Sequence, residues 1–378
     1  MQYYFIIIQY FEDIMINIKL KQWMKIALGV AVATLAFFLF VVYGQGGKIF
    51  GGSMGQININ DGEVEVLATM DEVPSKPNRV WVGTFQLVWN KLMDEYTHGP
   101  VVLKDYNSSL IEALNRRNFD ANDIAANAYY ATFGNNSFAK KAEIEKAIRE
   151  KFDEESDILH QMEWSGDGRQ FIIYAMLKKE FKFLEKFSDL GKKTFGKNKI
   201  KTAFFGIDED SDENLDDTVN VLFYGENDYA VELPTRGDDV VLLYRTDVDK
   251  PFDALFAEMM DKKEKYARGS DFDEIDELRV PNFDFYLKHY FDELSGKTIV
   301  GGERDVIIQQ ALETIEFKMD REGVKLKSEA AIYMGDGFMP VKTPRYFYFD
   351  DTFVLFLMER GRQRPYFAMR VQDMEPFL

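Results

Sequence analysis

Few residues in this chain could do chemistry. Among its 378 residues there are 3 His and no Cys. Without thiols there is no disulfide, no thiolate metal site and no cysteine nucleophile. His98, His160 and His289 are scattered, with no spacing that would put two imidazoles on one face as metal ligands. They read as surface or internally satisfied side chains. Gly51-Gly52-Ser53-Met54-Gly55 satisfies the nucleophile-elbow pattern. That chemistry needs a strand before the serine and a helix after it. A glycine-rich stretch precedes Ser53 and the strand-like Gln56–Leu67 follows, so the segment reads as a linker. Asp208, Asp210 and Asp212 are spaced like the start of an EF-hand loop. Glu213 stands where that loop needs Gly, and Val219 where it needs the closing acid. The segment reads as a solvated loop. HExxH, Walker A and GxGxxG patterns are absent. The residues therefore nominate no catalytic group, no metal site and no cofactor.

Composition narrows the remaining classes. The formal charge of −18 disfavours nucleic acid, whose binding needs a basic footprint. Apolar residues make up 46%, with 33 Phe and 19 Tyr, enough for the core of a large mixed domain.

Residues 26–43 form an uncharged apolar run, just long enough for a membrane's hydrocarbon core of about 30 Å at about 1.5 Å per residue. Lys19, Lys21 and Lys25 precede it; Asp61, Glu63 and Glu65 follow. The positive-inside rule then gives a cytoplasmic segment 1–25, a transmembrane anchor 26–43, a linker 44–79 and an extracytoplasmic domain 80–378. A cleaved signal peptide ending near Val42 and Gly44, hence a secreted protein, is the alternative.

Periodicity predicts helices over Trp81–Glu95, Asn107–Arg117, Asp120–Tyr130, Ala139–Phe152 and Phe252–Lys265. Strand patterns cover the run from Phe171, then Val219–Tyr224, Tyr229–Leu233 and Val240–Arg245. Near the C-terminus, Ile315–Met319 leads into Asp320-Arg321-Glu322-Gly323. Small and polar residues follow over Ser328–Pro340. Two apolar runs, Phe353–Met358 and Tyr366–Val371, then flank a turn of hairpin type. A strand, a long loop and a buried hairpin form an unusual order, since a loop of this length in a compact domain is usually either functional or a sign of misassigned elements.

This order resembles the end of a serpin. Asp320-Arg321-Glu322-Gly323 is similar to the family's hinge entry. Phe349–Phe356 is similar to the opening of its C-terminal hairpin, and Tyr366–Val371 to its close. Val231–Gly237 followed by Val240–Tyr244 is similar to a further element of that fold, and so is Glu277–Phe283. The family pattern then expects a helix over Phe285–Leu294. The resemblance implies an α+β fold, with N-terminal helices packed on mixed and antiparallel sheets, a reactive loop and a buried hairpin. It also implies a mechanism, in which a protease cuts the loop and the freed hinge inserts as a strand of the main sheet.

Under that resemblance Glu322, Gly323, Val324, Leu326, Ser328 and Ala330 form the hinge. Gly337, Phe338, Met339, Val341 and Lys342 lie in the reactive loop, with the scissile bond at Gly337-Phe338 or Val341-Lys342. The residues themselves permit insertion. Val324, Leu326, Ser328, Ala330 and Ile332 alternate with Lys325, Lys327, Glu329 and Ala331, as a strand with one core face requires. Large and charged residues directly after Gly323 depart from the small-residue hinge of inhibitory relatives. Two functions stay open: an inhibitor of a serine or cysteine protease, and a non-inhibitory domain that binds another protein. Implied partners are a target protease and, through residues 26–43, a membrane.

Overall fold

In the computed structural model, residues 56–156, 159–160, 162–166, 168–211, 215–266, 271–324 and 343–378 are described. The expected anchor, the Ser53 pattern and Asp212 lie outside these residues. Among the described residues no helix is long and apolar enough to cross a membrane. The folded unit begins at Gln56, earlier than the expected boundary at residue 80. Residues assigned to the linker instead supply two strands, because Ile57, Ile59, Val64 and Val66 put apolar side chains into existing sheets.

A 7-stranded main sheet is built from β1 (Ile57–Ile59), β4 (Val102–Leu103), β5 (Tyr129–Asn135), β6 (Gln170–Leu177), β14 (Phe283–Tyr290), β15 (Thr298–Val300) and β16 (Val306–Met319). β16 is its central member. It pairs antiparallel with β14 and β15, and parallel with β6. A second 7-stranded sheet has the order β10 (Asn220–Phe223), β11 (Tyr229–Pro234), β12 (Asp239–Arg245), β19 (Phe353–Glu359), β20 (Phe367–Val371), β3 (Arg79–Val82) and β2 (Glu65–Leu67). Its middle is the expected C-terminal hairpin: β19 lies fully in register with β12 and β20. A 4-stranded sheet orders β18 (Tyr346–Tyr348), β13 (Glu277–Pro281), β9 (Ile200–Ile207) and β8 (Ser188–Phe195). A short pair joins β7 (Phe181–Lys182) to β17 (Gly323–Val324).

Four α-helices complete the described fold. α1 (Thr84–Leu92) is buried on nearly every side, with Lys91 its exposed residue. Its buried polar side chains are hydrogen-bonded internally: Gln86 donates to Asn90 Oδ1 and Leu114 O, and Asn90 to Phe119 O. α1 lies under β5 and β6. Its first residues follow β3, and Gly83 N–H donates to Tyr366 O at 3.0 Å. α2 (Ser109–Asn115) is capped by Ser108. α3 (Phe138–Phe152) is capped by Ser137 and ends at Asp153 in the left-handed region. It covers the opposite face of the main sheet, where Ile144, Ile148 and Phe152 meet Leu159 and Tyr174 in a small separate core. α4 (Phe252–Tyr266) buries Phe252, Leu255 and Met259, with Phe252 and Phe256 edge-on to Phe356 of β19.

Three expectations are corrected. Trp81 and Val82 belong to β3 rather than to the first helix, because Val80, Trp81 and Val82 are all buried against β20 and β2. Asp120–Tyr130 forms turns leading into β5, with Asp120 and Asp123 bonding each other's backbone rather than a helix. Phe285–Leu294 begins as β14, not as a helix. Phe283, Phe285 and Leu287 alternate into the core while Asp284, Tyr286 and Lys288 point away, and the strand period prevails.

The hairpin is fastened to the end of β6 by a buried polar network. Lys179 Nζ donates to Asp239 Oδ1 at 2.8 Å and to Glu359 Oε1 at 2.5 Å. The Tyr366 hydroxyl donates to Asp239 Oδ1 at 2.9 Å, and Ala125 N–H to Glu359 Oε1 at 2.9 Å. Burial pushes the Glu359 carboxyl up, but Lys179, Ala125 N–H and Arg362 outweigh it and hold the group below its ordinary value. A carboxylate lowered in this way contributes stability above its unfolded pKa, and that stability is lost as pH falls through the folded pKa. Replacing Lys179 by Met removes the lysine that two buried carboxylates share, leaving Glu359 its Arg362 pair and Asp239 the Tyr366 hydroxyl, and should cost about 3 kcal/mol in urea unfolding at pH 7. The difference from wild type should shrink as pH falls below the ordinary value of 4.5 and the Glu359 carboxylate protonates.

Candidate functional site

The site begins where two strands part. β6 and β16 pair in parallel from Ile307↔Gln170 to Leu312↔Tyr174. Beyond that point β16 continues against β14 through Met319↔Phe283, and β6 continues against β5 through Leu177↔Tyr129. Among the described residues no ladder pair joins Glu313–Met319 to β6 or β7. The C-terminal half of β16 thus has a bonded neighbour on one side, although it runs through the interior of the sheet.

The chain then turns back into that space. Asp320 and Gly323 exchange backbone bonds, N–H to O, at 3.3 and 3.0 Å. Asp320 Oδ1 accepts from Glu322 N–H at 2.9 Å, fixing the turn between them. Gly323 and Val324 run antiparallel to Lys182 and Phe181. The returning backbone is therefore bonded to β7 on one side and to the end of β16 on the other. Glycine is required at the reversal. Gly323 has φ +120°, and a Cβ there would lie 2.5 Å from Lys182 Cα and 2.6 Å from Phe181 O.

The turn is held from beneath. Phe187 N–H donates to Arg321 O at 2.9 Å and Phe183 N–H to Glu322 O at 3.3 Å. Phe183, Phe187 and Phe205 pack ring to ring below them, at centroid distances of 5.0–5.7 Å. Lys186 Nζ lies 2.6 Å from Glu322 Oε1, and this lysine is the main cause that holds the Glu322 carboxyl below its ordinary value. The far end of the loop is fixed as firmly. Arg345 makes an ion pair with the buried Asp276 at 2.6 Å, and its N–H donates to Asp276 Oδ1 at 2.8 Å, just before β18 pairs with β13.

Of the residues singled out from sequence, Glu322 and Gly323 are in the turn and Val324 lies in the returning strand. Leu326, Ser328, Ala330, Gly337, Phe338, Met339, Val341 and Lys342 lie outside the described residues. The structure adds one residue that the pattern did not mark. Glu313 points inward from β16 and is 1% exposed. Thr84 Oγ1 donates to its Oε1 at 2.7 Å, and Oε2 has no hydrogen-bond partner. Burial pushes this carboxyl up to about 8, against smaller lowering effects from Thr84 and the Phe85 N–H. The available signal was an acid in an inward position of an apolar strand, between Ala311 and Ile315.

The other candidates stay apart. His98 bonds the Asp94 carbonyl, His160 lies near Lys141, and His289 faces Asp61. Among the described residues no group of three His, Cys, Asp or Glu could hold a metal ion. Asp208 closes a turn with Ser211.

No family model matches the chain, and no curated protein is similar to it. Solved structures similar to it include human thyroxine-binding globulin in complex with thyroxine. That match has 10% identity, a TM-score of 0.40, and covers 79% of this chain and 76% of that one. Human glycosylated kallistatin matches at 13% identity and TM-score 0.40, over 63% of this chain and 64% of that one. Serpin48 of the insect Tenebrio molitor matches at 17% and 0.33, over 62% and 65%. These likenesses are distant. The α+β fold is serpin-like in the order of its C-terminal parts: a central strand, a tight turn, a long connection and a buried hairpin.

The turn can be tested by two substitutions of unequal weight. Gly323→Ala must move backbone and should cost about 2 kcal/mol, from strain at a conformation reserved for glycine. It should also release the amides of Phe181–Phe183 to rapid hydrogen exchange. Lys186→Ala removes a half-exposed ion pair and should cost less than about 1 kcal/mol. Chemical denaturation of the two variants checks the ranking.

Proposed function

We propose that this chain is a serpin-like protease inhibitor, whose cleaved loop enters the main sheet between β6 and β16. The observation that supports it is the hinge. Gly323 and Val324 already run antiparallel to β7 beside the end of β16, above the point where β6 and β16 stop pairing.

The register of the turn says how insertion would proceed. Continuing the Asp320↔Gly323 pairing places Leu326 opposite Phe317, Ser328 opposite Ile315 and Ala330 opposite Glu313. Those three would face the core, and Lys325, Lys327 and Glu329 the side covered by α3. A chain that follows this register gains ladder bonds before it must part Leu312 from Tyr174. Below that level insertion has to break existing pairs. A large Leu326 beside Phe317 slows entry, and a slow strand lets the protease complete hydrolysis and leave. This favours the second reading, a non-inhibitory domain with the same fold that binds another protein. In either reading the chain acts without an active site of its own. The apolar run 26–43 would hold the domain to a membrane, on its extracytoplasmic side, or direct its secretion.

Incubation with serine and cysteine proteases separates the two. Inhibition predicts cleavage between Gly337 and Lys342, an adduct that survives denaturing electrophoresis, and a raised Tm for the cleaved chain. Loop cleavage with no adduct and no rise in Tm would sink the inhibitor reading and leave the binding domain.

A further inference from the structure

Glu313 occupies the first open position of β16, directly after the last β6–β16 pair at Leu312↔Tyr174. Among the described residues Glu313 makes no ion pair with Lys, Arg or His. α1 presents the Thr84 hydroxyl and the first-turn N–H of Phe85, and its Lys91 is at the far end. β14 presents His289, the cross-strand partner of Glu313, whose ring is engaged by Asp61 at 2.8 Å. β6 presents the buried, apolar Ile173 and Ala175, and β16 itself Ala311 and Ile315. Glu316 and Lys318 alternate to the other face. The carboxyl therefore has one donor of good geometry, a half-open helix start and one orphan oxygen.

We propose that Glu313 is a proton-operated latch on the β6–β16 slot. Carrying its proton, it lets β16 close against α1; losing it, it favours the parted, hydrated slot. This rests on the reading of that slot as the element that opens. The cause is desolvation. A carboxylate in this position has no counter-charge, whereas a carboxylate in a parted slot has water.

The direction follows from linkage. The closed group titrates at about 8, and the same group in water at its ordinary value of 4.5. Between those values the closed form binds more protons than the opened form. Opening then releases a proton and becomes easier as pH rises, by up to about tenfold per unit. Stability of the closed pair is full below the ordinary value and is lost as pH rises toward the folded one. Above the folded value the dependence levels off. Insertion would be slow in acid and faster in mildly alkaline medium.

The test is hydrogen–deuterium exchange on the uncleaved, full chain from pH 6 to 8.5, corrected for intrinsic exchange. Segments 170–177 and 306–319 are compared with β11 and β12 of the second sheet. Opening of the two slot segments should increase more than about tenfold between pH 6 and 8 while the reference stays flat. Glu313→Gln, which cannot ionise, should abolish the increase. Thr84→Val removes a donor that favours the ionised form, and should move the plateau to higher pH. A pH dependence that survives in Glu313→Gln, or a flat wild-type profile, overturns the latch. Should Glu313→Gln fail to fold, Thr84→Val decides, and an unmoved profile overturns it. No protease enters this measurement. A profile as expected with no covalent adduct refutes the inhibitor reading alone; an adduct with a flat profile refutes the latch alone.

Discussion

Among the described residues, the C-terminal half of β16 has a ladder partner on one side only, in the interior of a sheet. That constraint organises the rest. Unpaired backbone along a strand is a template for another strand, and proteins that keep one must control what fills it. Here the first filler is the chain itself, since Gly323 and Val324 return beside the strand they have just left. The absence of a Cβ at Gly323, the backbone bonds from Phe183 and Phe187, and the Lys186–Glu322 pair all serve to aim that return. At the other end of the connection, Arg345 and Asp276 hold the exit. The packing on the outer face is suited to movement. α3 covers the main sheet through a small core of its own, separate from the continuous core on the inner side. A helix held by few apolar contacts can shift at lower cost than one built into the main core.

Much of the fold was legible in the sequence, and the failures have physical causes. The C-terminal hairpin was clear because Phe353–Met358 and Tyr366–Val371 are continuous apolar runs around a polar turn, and both faces of those strands are buried. The helix over Phe285–Leu294 is an expectation of the family resemblance alone, whereas the residues themselves alternate, Phe283, Phe285 and Leu287 inward, at the strand period. The strands before residue 80 carry little signal in the sequence because β1 and β2 are three residues long, and β1 gains its partner, β14, only far along the chain. Of the site, Asp320–Gly323 stood out through its resemblance to a hinge entry, and the structure shows a turn there. Glu313 could not, because its meaning depends on Thr84, which lies more than 200 positions away in sequence.

Under the proposed insertion two rates compete, and the chain carries features for both sides. Alternation after Gly323 permits a strand, and Ser328 and Ala330 are small. Lys325, Leu326 and Lys327 come first and are large or charged. The proposed latch at Glu313 would act at the next stage, beside the last β6–β16 pair. It would delay full opening until the chain had gained its first ladder bonds.

The central claim is that the chain after Gly323 enters beside β16 in the register set by the turn. The chain has no Cys, so an introduced pair reports without interference. Ile315→Cys combined with Ser328→Cys places the two thiols on neighbouring strands in a narrow antiparallel pair, about 4.5 Å between Cα atoms, within disulfide reach. After the loop is cut and mild oxidant added, peptide mapping should find a disulfide between positions 315 and 328, absent from the uncut protein. Two free thiols in the cut, folded chain would contradict the account.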